Sequence, residues 1–372
     1  MVLLLIVPSL RELFKYLPPA AAVLVAAAAA AASIWIFRRR SFPISPEKTW
    51  IALLVLFALA AFLYMRLASA GSLPEAGSTG DDAMMQPVRA IMDKGSLWAI
   101  YDVQLDGGAP VSPGPGWILL NAPFTILGLY PLMVPFWFLV LALVLRKSGY
   151  GDPLVMRLLL LLAVCPFFWQ QLITGHDLPA IGAVFLAITL SVHNKGRVMS
   201  RRRTLALALA AGAVSTSRVI YLLFPLIPGL LIRRRDRTNG YLFIAVGMAT
   251  AFFTDLVFSA ETSSFQPIHI LSRVFSYVPP WALAAGAVIA AGIMFIFAWR
   301  ADEKLKNWTF WLALLIGIPH LLISLAWLAA FSLNVTHSEG ANYFSIFLPA
   351  GLTWLLMVRH DGCTDIYTDG GV

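Results

Sequence analysis

The chain has 372 residues, of which 59% are hydrophobic and only 12% charged. A soluble domain carries about twice that share of charge, so a water-soluble globular fold is excluded. The net charge of +8 does not point to nucleic acid, because Lys and Arg stand in short clusters beside apolar runs rather than in one broad patch.

Helices of ~20 apolar residues cross a hydrocarbon core of ~30 Å, and the apolar runs reach that length. A β-barrel would alternate apolar and polar residues in short segments, and these runs do not. The fold class expected is therefore all-α, a polytopic transmembrane helical bundle.

In chain order, residues 1–17 ("MVLLLIVPSLRELFKYL") are too short before Pro18 to span and lack the basic start of a signal peptide. They read as an interfacial helix with Arg11, Glu12 and Lys15 among lipid headgroups. Spans are expected at 18–37, 49–70, 117–145, 154–173, 178–194, 204–217, 219–232, 240–258, 280–299, 308–331 and 343–359, about eleven in all. The transmembrane domain thus covers 18–359, with one large loop at 71–116 and a polar tail at 360–372. The run 117–145 holds Pro123, Gly128, Pro131 and Pro135 and is expected to be broken. The runs 204–217 and 219–232 are short and meet at "STSR". They predict a shallow hairpin that ends inside the membrane, which needs protein or a cavity around it.

Within the large loop, Met84, Met85, Val88, Ile91 and Met92 recur at helical spacing, with Arg89, Asp93 and Lys94 between them. That pattern predicts an amphipathic helix over 82–95 with Asp81 or Asp82 at its start. One aspartate there is explained by a helix cap, but a cap uses only one. The following "GGAPVSPGPGW" predicts a stiff loop into the next span. Cys165 lies in an apolar run and Cys363 in the tail, so no disulfide is implied.

Placing the "RRR" at Arg38–Arg40 inside and alternating the spans puts twenty of the 27 Lys and Arg on the inner side. That asymmetry sets the orientation: N-terminus outside, C-terminus inside. The outer side then collects Asp81, Asp82, Lys94, His176, Asp177, Arg218, His269, Arg273, His337, Glu339, Asn342 and Tyr343, while the inner loops hold plain basic anchors. Loops on a rigid scaffold carry function, so the outer face is the expected working face.

These residues resemble the GT-C glycosyltransferases, integral-membrane enzymes that use polyprenyl-phosphate-linked sugars, in their bacterial mannosyl- and arabinosyltransferase-like branch. The likeness lies in "GDDAMMQPVRAIMDKGSLWAIYD", in "VSPGPGWILLNAPFTILGLYPLM", in "TGHDLPAIGAVFLAITL", in the hairpin through Arg218, and in "EGANYFSIFLPAGL". It covers roughly 49–359. One span precedes the family's usual first span, and no soluble acceptor-binding domain follows the last. The resemblance implies transfer of a sugar from a polyprenyl-phosphate donor to a lipid or glycan acceptor, at the extracytoplasmic face of a bacterial inner membrane.

Such a reaction needs a carboxylate base for the attacking hydroxyl. It also needs cations and hydrogen-bond donors for the departing phosphate. Asp81 or Asp82 is the expected base, and with one base and no enzyme nucleophile the anomeric configuration inverts. Arg218, Arg273, His269 and Lys94 are the candidates for the phosphate. Alternatively, Arg218 could snorkel to the interface. His176, Asp177, His337, Glu339, Asn342 and Tyr343 are the candidates for substrate hydroxyls. For Asp177 a helix cap is the plainer alternative, and for the 337–343 stretch a solvated loop. Two carboxylates side by side are compatible with Mg²⁺ or Mn²⁺, although no cofactor is required by the sequence. The three outer His residues lack ligand spacing. Trp98, Tyr101, Trp117 and Trp281 are available to stack on a sugar. The chief rival is a lipid or ion-coupled transporter, for which Asp255 is the one carboxylate inside a span. A weaker rival is an O-acyltransferase built on His320.

Overall fold

The computed structural model describes residues 1–39, 46–69, 79–103, 105, 111–193, 199–261, 305–330 and 342–368, with six isolated positions between 285 and 296. The span expected at 280–299, together with His269, Arg273, Trp281, His337 and Glu339, lies essentially outside the described residues.

Among the described residues every regular element is a helix, with no strand. The first four helices are α1 (Val2–Tyr16), α2 (Pro19–Arg38), α3 (Pro46–Ser69) and α4 (Thr79–Lys94). The next five are α5 (Pro115–Ile126), α6 (Met133–Leu145), α7 (Gly151–Ala163), α8 (Pro166–Ile173) and α9 (Leu178–Val192). The last five are α10 (Arg201–Ser215), α11 (Leu226–Arg235), α12 (Arg237–Glu261), α13 (Leu305–Ala330) and α14 (Phe344–Thr368).

Three helical segments, Pro19–Arg38, Tyr130–Ser148 and Arg237–Glu261, are long and apolar enough to cross a membrane, and several shorter apolar helices accompany them. The chain therefore has the character of an integral membrane protein. Its exposed surface agrees, for Leu24, Leu54, Val55, Phe253 and Leu256 all point outward from the bundle. Water would oppose such exposure, whereas lipid chains accept it.

Punctuation in the sequence becomes breaks in the helices. The run 117–145 divides into α5 and α6 at Gly128, whose φ of +68° is open to glycine at little cost. The short hairpin forms as α10 and α11, joined by a 3₁₀ turn at Val219–Tyr221. One expectation is corrected: 154–173 is not a single straight span. α7 and α8 meet at 77°. Cys165 ahead of Pro166 is extended (φ −92°, ψ 106°), because a proline ring disfavours the helical conformation of the residue before it.

The polar residues of α1 are held within the fold: Arg11 and Glu12 are enclosed by protein, at 4% and 2% exposure. α1 packs on α2 and α8. The Ser9 hydroxyl accepts from the Phe167 backbone N–H at 3.2 Å, so the bend before α8 gives the polar residues of α1 partners inside the fold. The Arg11 guanidinium donates to Glu12 Oε1 and to Asn342 Oδ1, both at 2.8 Å.

α9 is the centre of the bundle. It touches α6, α8, α10, α11, α13 and α14, and its residues from Leu178 to Leu190 are all buried. Gly182 lets α14 come close: a Cβ there would stand 2.1 Å from the Ile346 carbonyl oxygen.

The helix ends sort into two groups. At one end, Arg359 donates to the Arg38 carbonyl, Arg203 to the Ser191 carbonyl at 3.1 Å, and Arg235 to the His193 carbonyl at 3.2 Å. These are ends that the alternation of spans assigns to one side. At the other end, Tyr64, Asp81, Trp117, Asp177, Thr216 and Arg218 interlock, as described next.

Candidate functional site

Two buried acidic centres share the second pole. The first is Asp81. It lies in the first turn of α4, with Asp82 beside it. Neither aspartate precedes the helix described, so the expectation of a capping residue is replaced by two carboxylates within the helix. Negative charge is favoured there by the N-terminal end of the helix dipole.

The two differ in surroundings. Asp81 is 3% exposed, whereas Asp82 is half-buried. Tyr64 of α3 donates to Asp81 Oδ2 at 2.9 Å, and the Asp82 backbone N–H donates to Asp81 Oδ1 at 3.0 Å. Burial pushes the Asp81 carboxyl up to about 6; the Tyr64 hydrogen bond opposes this and the neighbouring Asp82 charge adds to it.

The second centre is Asp177 at the start of α9. It holds the N-cap position, as the plainer alternative has it, but its side chain makes no capping bond. Instead it takes a bidentate pair from Arg218, Nη2 to Oδ1 at 3.0 Å and Nη1 to Oδ2 at 3.3 Å. The Trp117 indole N–H donates to Oδ2 at 2.8 Å. The carboxylate is fully enclosed, and Arg218 is buried as well. Snorkelling is thereby excluded for Arg218. Tyr343 lies within electrostatic reach of its guanidinium.

The sharp turn Thr174–Asp177 joins the centres. Gly175 has φ +70°, and a Cβ on it would stand 2.7 Å from Tyr64 Cε2 and 2.8 Å from Asp81 Cβ. Its carbonyl accepts from the Tyr130 hydroxyl at 2.7 Å. Tyr130 lies within electrostatic reach of Asp81, Asp177 and Arg218 alike. His176 covers Gly80, where a Cβ would meet its Nδ1 at 2.2 Å. The entry to α5 is tied in by the Trp117 N–H, which donates to Thr216 Oγ1 at 2.9 Å, and by the Gly114 N–H, which donates to the Thr216 carbonyl at 2.8 Å.

Of the residues singled out from the sequence, the fold brings together Asp81, Asp82, His176, Asp177, Arg218 and Tyr343. Asn342 adjoins them but is held by Arg11. Lys94 is elsewhere. Thirteen positions along α4 from Asp81, it stands roughly 20 Å away at 1.5 Å per residue, in an exposed ion pair with Asp102 at 3.0 Å. It is not a phosphate ligand of this cluster. Trp117 and Tyr101 are 0% and 1% exposed and offer no face to a sugar, whereas Trp98 is 43% exposed.

Sequence reading passed over Tyr64, Tyr130 and Tyr221. Nothing in their spacing distinguishes them from interfacial tyrosines; only their cross-chain hydrogen bonds do. His320 is buried deeper, against the Tyr221 hydroxyl and stacked on Tyr343 at 4.9 Å. Among the described residues no three His, Cys, Asp or Glu side chains converge as a metal-ligand set. Comparison with known family models, with characterised proteins and with solved structures finds no match to this chain.

Proposed function

We propose that the protein is a GT-C-like membrane glycosyltransferase, threading the bilayer about eleven times, that moves a sugar from a polyprenyl-phosphate donor to an acceptor hydroxyl. The observation that carries this reading is Asp81. It is a buried carboxyl at a helix start, oriented by Tyr64, one turn of chain from an arginine-bearing cluster. The base is Asp81 rather than Asp82, because Asp81 is the one that Tyr64 holds in place, and burial raises it towards neutrality.

The acceptor oxygen gives its proton to the Asp81 carboxylate as it attacks the anomeric carbon from the face opposite the phosphate. The carbon–oxygen bond to phosphate breaks, the lipid phosphate leaves as an anion, and configuration inverts. Arg218 serves that anion indirectly. Its charge is matched by Asp177, so what it supplies is a fixed array of N–H donors rather than a free cation.

α9 has 15 residues, or about 22 Å, short of the ~30 Å core. That shortfall supports an Asp177 end set near the depth of the lipid phosphates. The distribution of basic residues supports an extracytoplasmic position for that face, and the resemblance to the GT-C enzymes supports a bacterial inner membrane. The acceptor is a lipid or a glycan.

The test is transfer from a labelled polyprenyl-phosphate sugar to endogenous acceptors in membranes containing the protein. Asp81→Asn eliminates label incorporation under this reading, and full incorporation by that variant would end it.

A second reading, a lipid or ion-coupled transporter, is favoured by one feature: spans broken at Gly128 and at Pro166, together with the buried Asp255. Uptake or flipping of lipid in proteoliposomes without sugar transfer would select it.

A further inference from the structure

We infer that the end of α2 opposite the candidate site is a binding site for one anionic phospholipid. An open cleft of about 490 Å³ lies there, lined by Ala31, Ile34, Trp35, Arg38 and Arg39. Its two halves differ in chemistry. The Arg39 guanidinium lies 4.5 Å over the Trp35 ring, a cation–π contact that holds the charge at the mouth of the cleft. Arg38 is exposed beside it. A third guanidinium approaches from α14: Arg359 donates to the Arg38 carbonyl and stands 5.0 Å over Phe37. No carboxylate is paired with these three arginines among the described residues.

The rest of the cleft is apolar, and an exposed apolar stripe continues from it along α2. Leu24, Ala28, Ala31 and Trp35 follow one another at helical spacing and all are exposed. From Leu24 to Arg38 the stripe runs about 21 Å at 1.5 Å per residue, the reach of an extended acyl chain. Charge at one end and a chain-length apolar track behind it match an amphiphile with an anionic head, not a soluble anion and not a protein surface. Basic residues beside a membrane helix bind anionic headgroups in this way.

The test uses the full chain in detergent micelles, with phosphatidylglycerol and phosphatidylcholine of identical acyl chains titrated by native mass spectrometry. The expected result is saturable retention of one phosphatidylglycerol and no comparable retention of phosphatidylcholine. Each arginine near the surface contributes roughly fivefold, so Arg38→Gln with Arg39→Gln weakens retention about twenty-five-fold. Arg38→Lys with Arg39→Lys preserves most of it, and Arg201→Gln with Arg202→Gln, at another cluster of the same pole, leaves it unchanged. Equal retention of the two lipids would overturn the inference, and so would an unaffected double glutamine variant. Displacement of the lipid by inorganic phosphate at similar concentration would show a simple anion site instead. A concentration-dependent dimer that protects Trp35 from quenching would show that a second copy occupies the cleft. Either result also defeats the inference.

Discussion

Asp177→Asn isolates the buried charge pair at the core of the candidate site. The amide keeps an oxygen to accept from the Trp117 indole, so the loss falls on Arg218. That guanidinium is left in its buried position with the Ser217 carbonyl as the neutral acceptor it retains. Leaving one partner of a buried pair uncompensated costs about 3–5 kcal/mol. Cys165, which is wholly buried, reports opening directly in a Cys363→Ser background, where it is the sole thiol. If labelling by a membrane-permeant maleimide follows the open population, a loss of 3 kcal/mol raises its rate about 150-fold. Removing both charges, as in Asp177→Asn with Arg218→Gln, leaves no orphan ion. That double variant is expected to label within about tenfold of the parent. A single variant that labels as slowly as the parent would refute the assignment of a buried ion pair. So would a double variant whose penalty equals the sum of the two singles.

Other outcomes follow from the same geometry. Transfer activity that needs the Asp81 carboxylate rises with pH through about 6, and Tyr64→Phe, which removes a donor to the anion, moves that rise upward; a pH–rate profile checks both. Because burial raises the Asp81 pKa from 3.8 to about 6, its favourable contribution to folding is complete below the unfolded pKa and lost as pH rises through 6. At pH 7.5 Asp81→Asn is therefore at least as stable as the parent, by up to about 3 kcal/mol, while inactive; Cys165 labelling compares them. Gly175→Ala forces a β-carbon against Tyr64 and Asp81 at a positive φ and is expected to cost about 2 kcal/mol or more, with activity lost. Lys94→Gln breaks an exposed ion pair and changes stability by less than about 1 kcal/mol without altering transfer.

The sequence by itself determined that this is an all-helical membrane protein and where most helices run. Hydrophobic length, proline and glycine are local signals, and α2, α3, α4, the broken α5–α6 run and the short α10–α11 pair all follow from them. The bend of α7 against α8 was written at Pro166, yet an uninterrupted apolar run concealed it. What only the tertiary structure decided is which polar residues meet. Asp81 and Asp82 are adjacent and chemically identical, and burial against Tyr64 alone separates them. Arg218 reads as a free cation along the chain, but 41 residues of separation close to a bidentate pair with Asp177. Arg11 reads as a headgroup anchor and is found 331 residues away at Asn342. In a membrane interior an unpaired charge is so costly that ionic and hydrogen-bonding groups must find partners across the chain. Such pairing depends on helix packing, which no local pattern encodes.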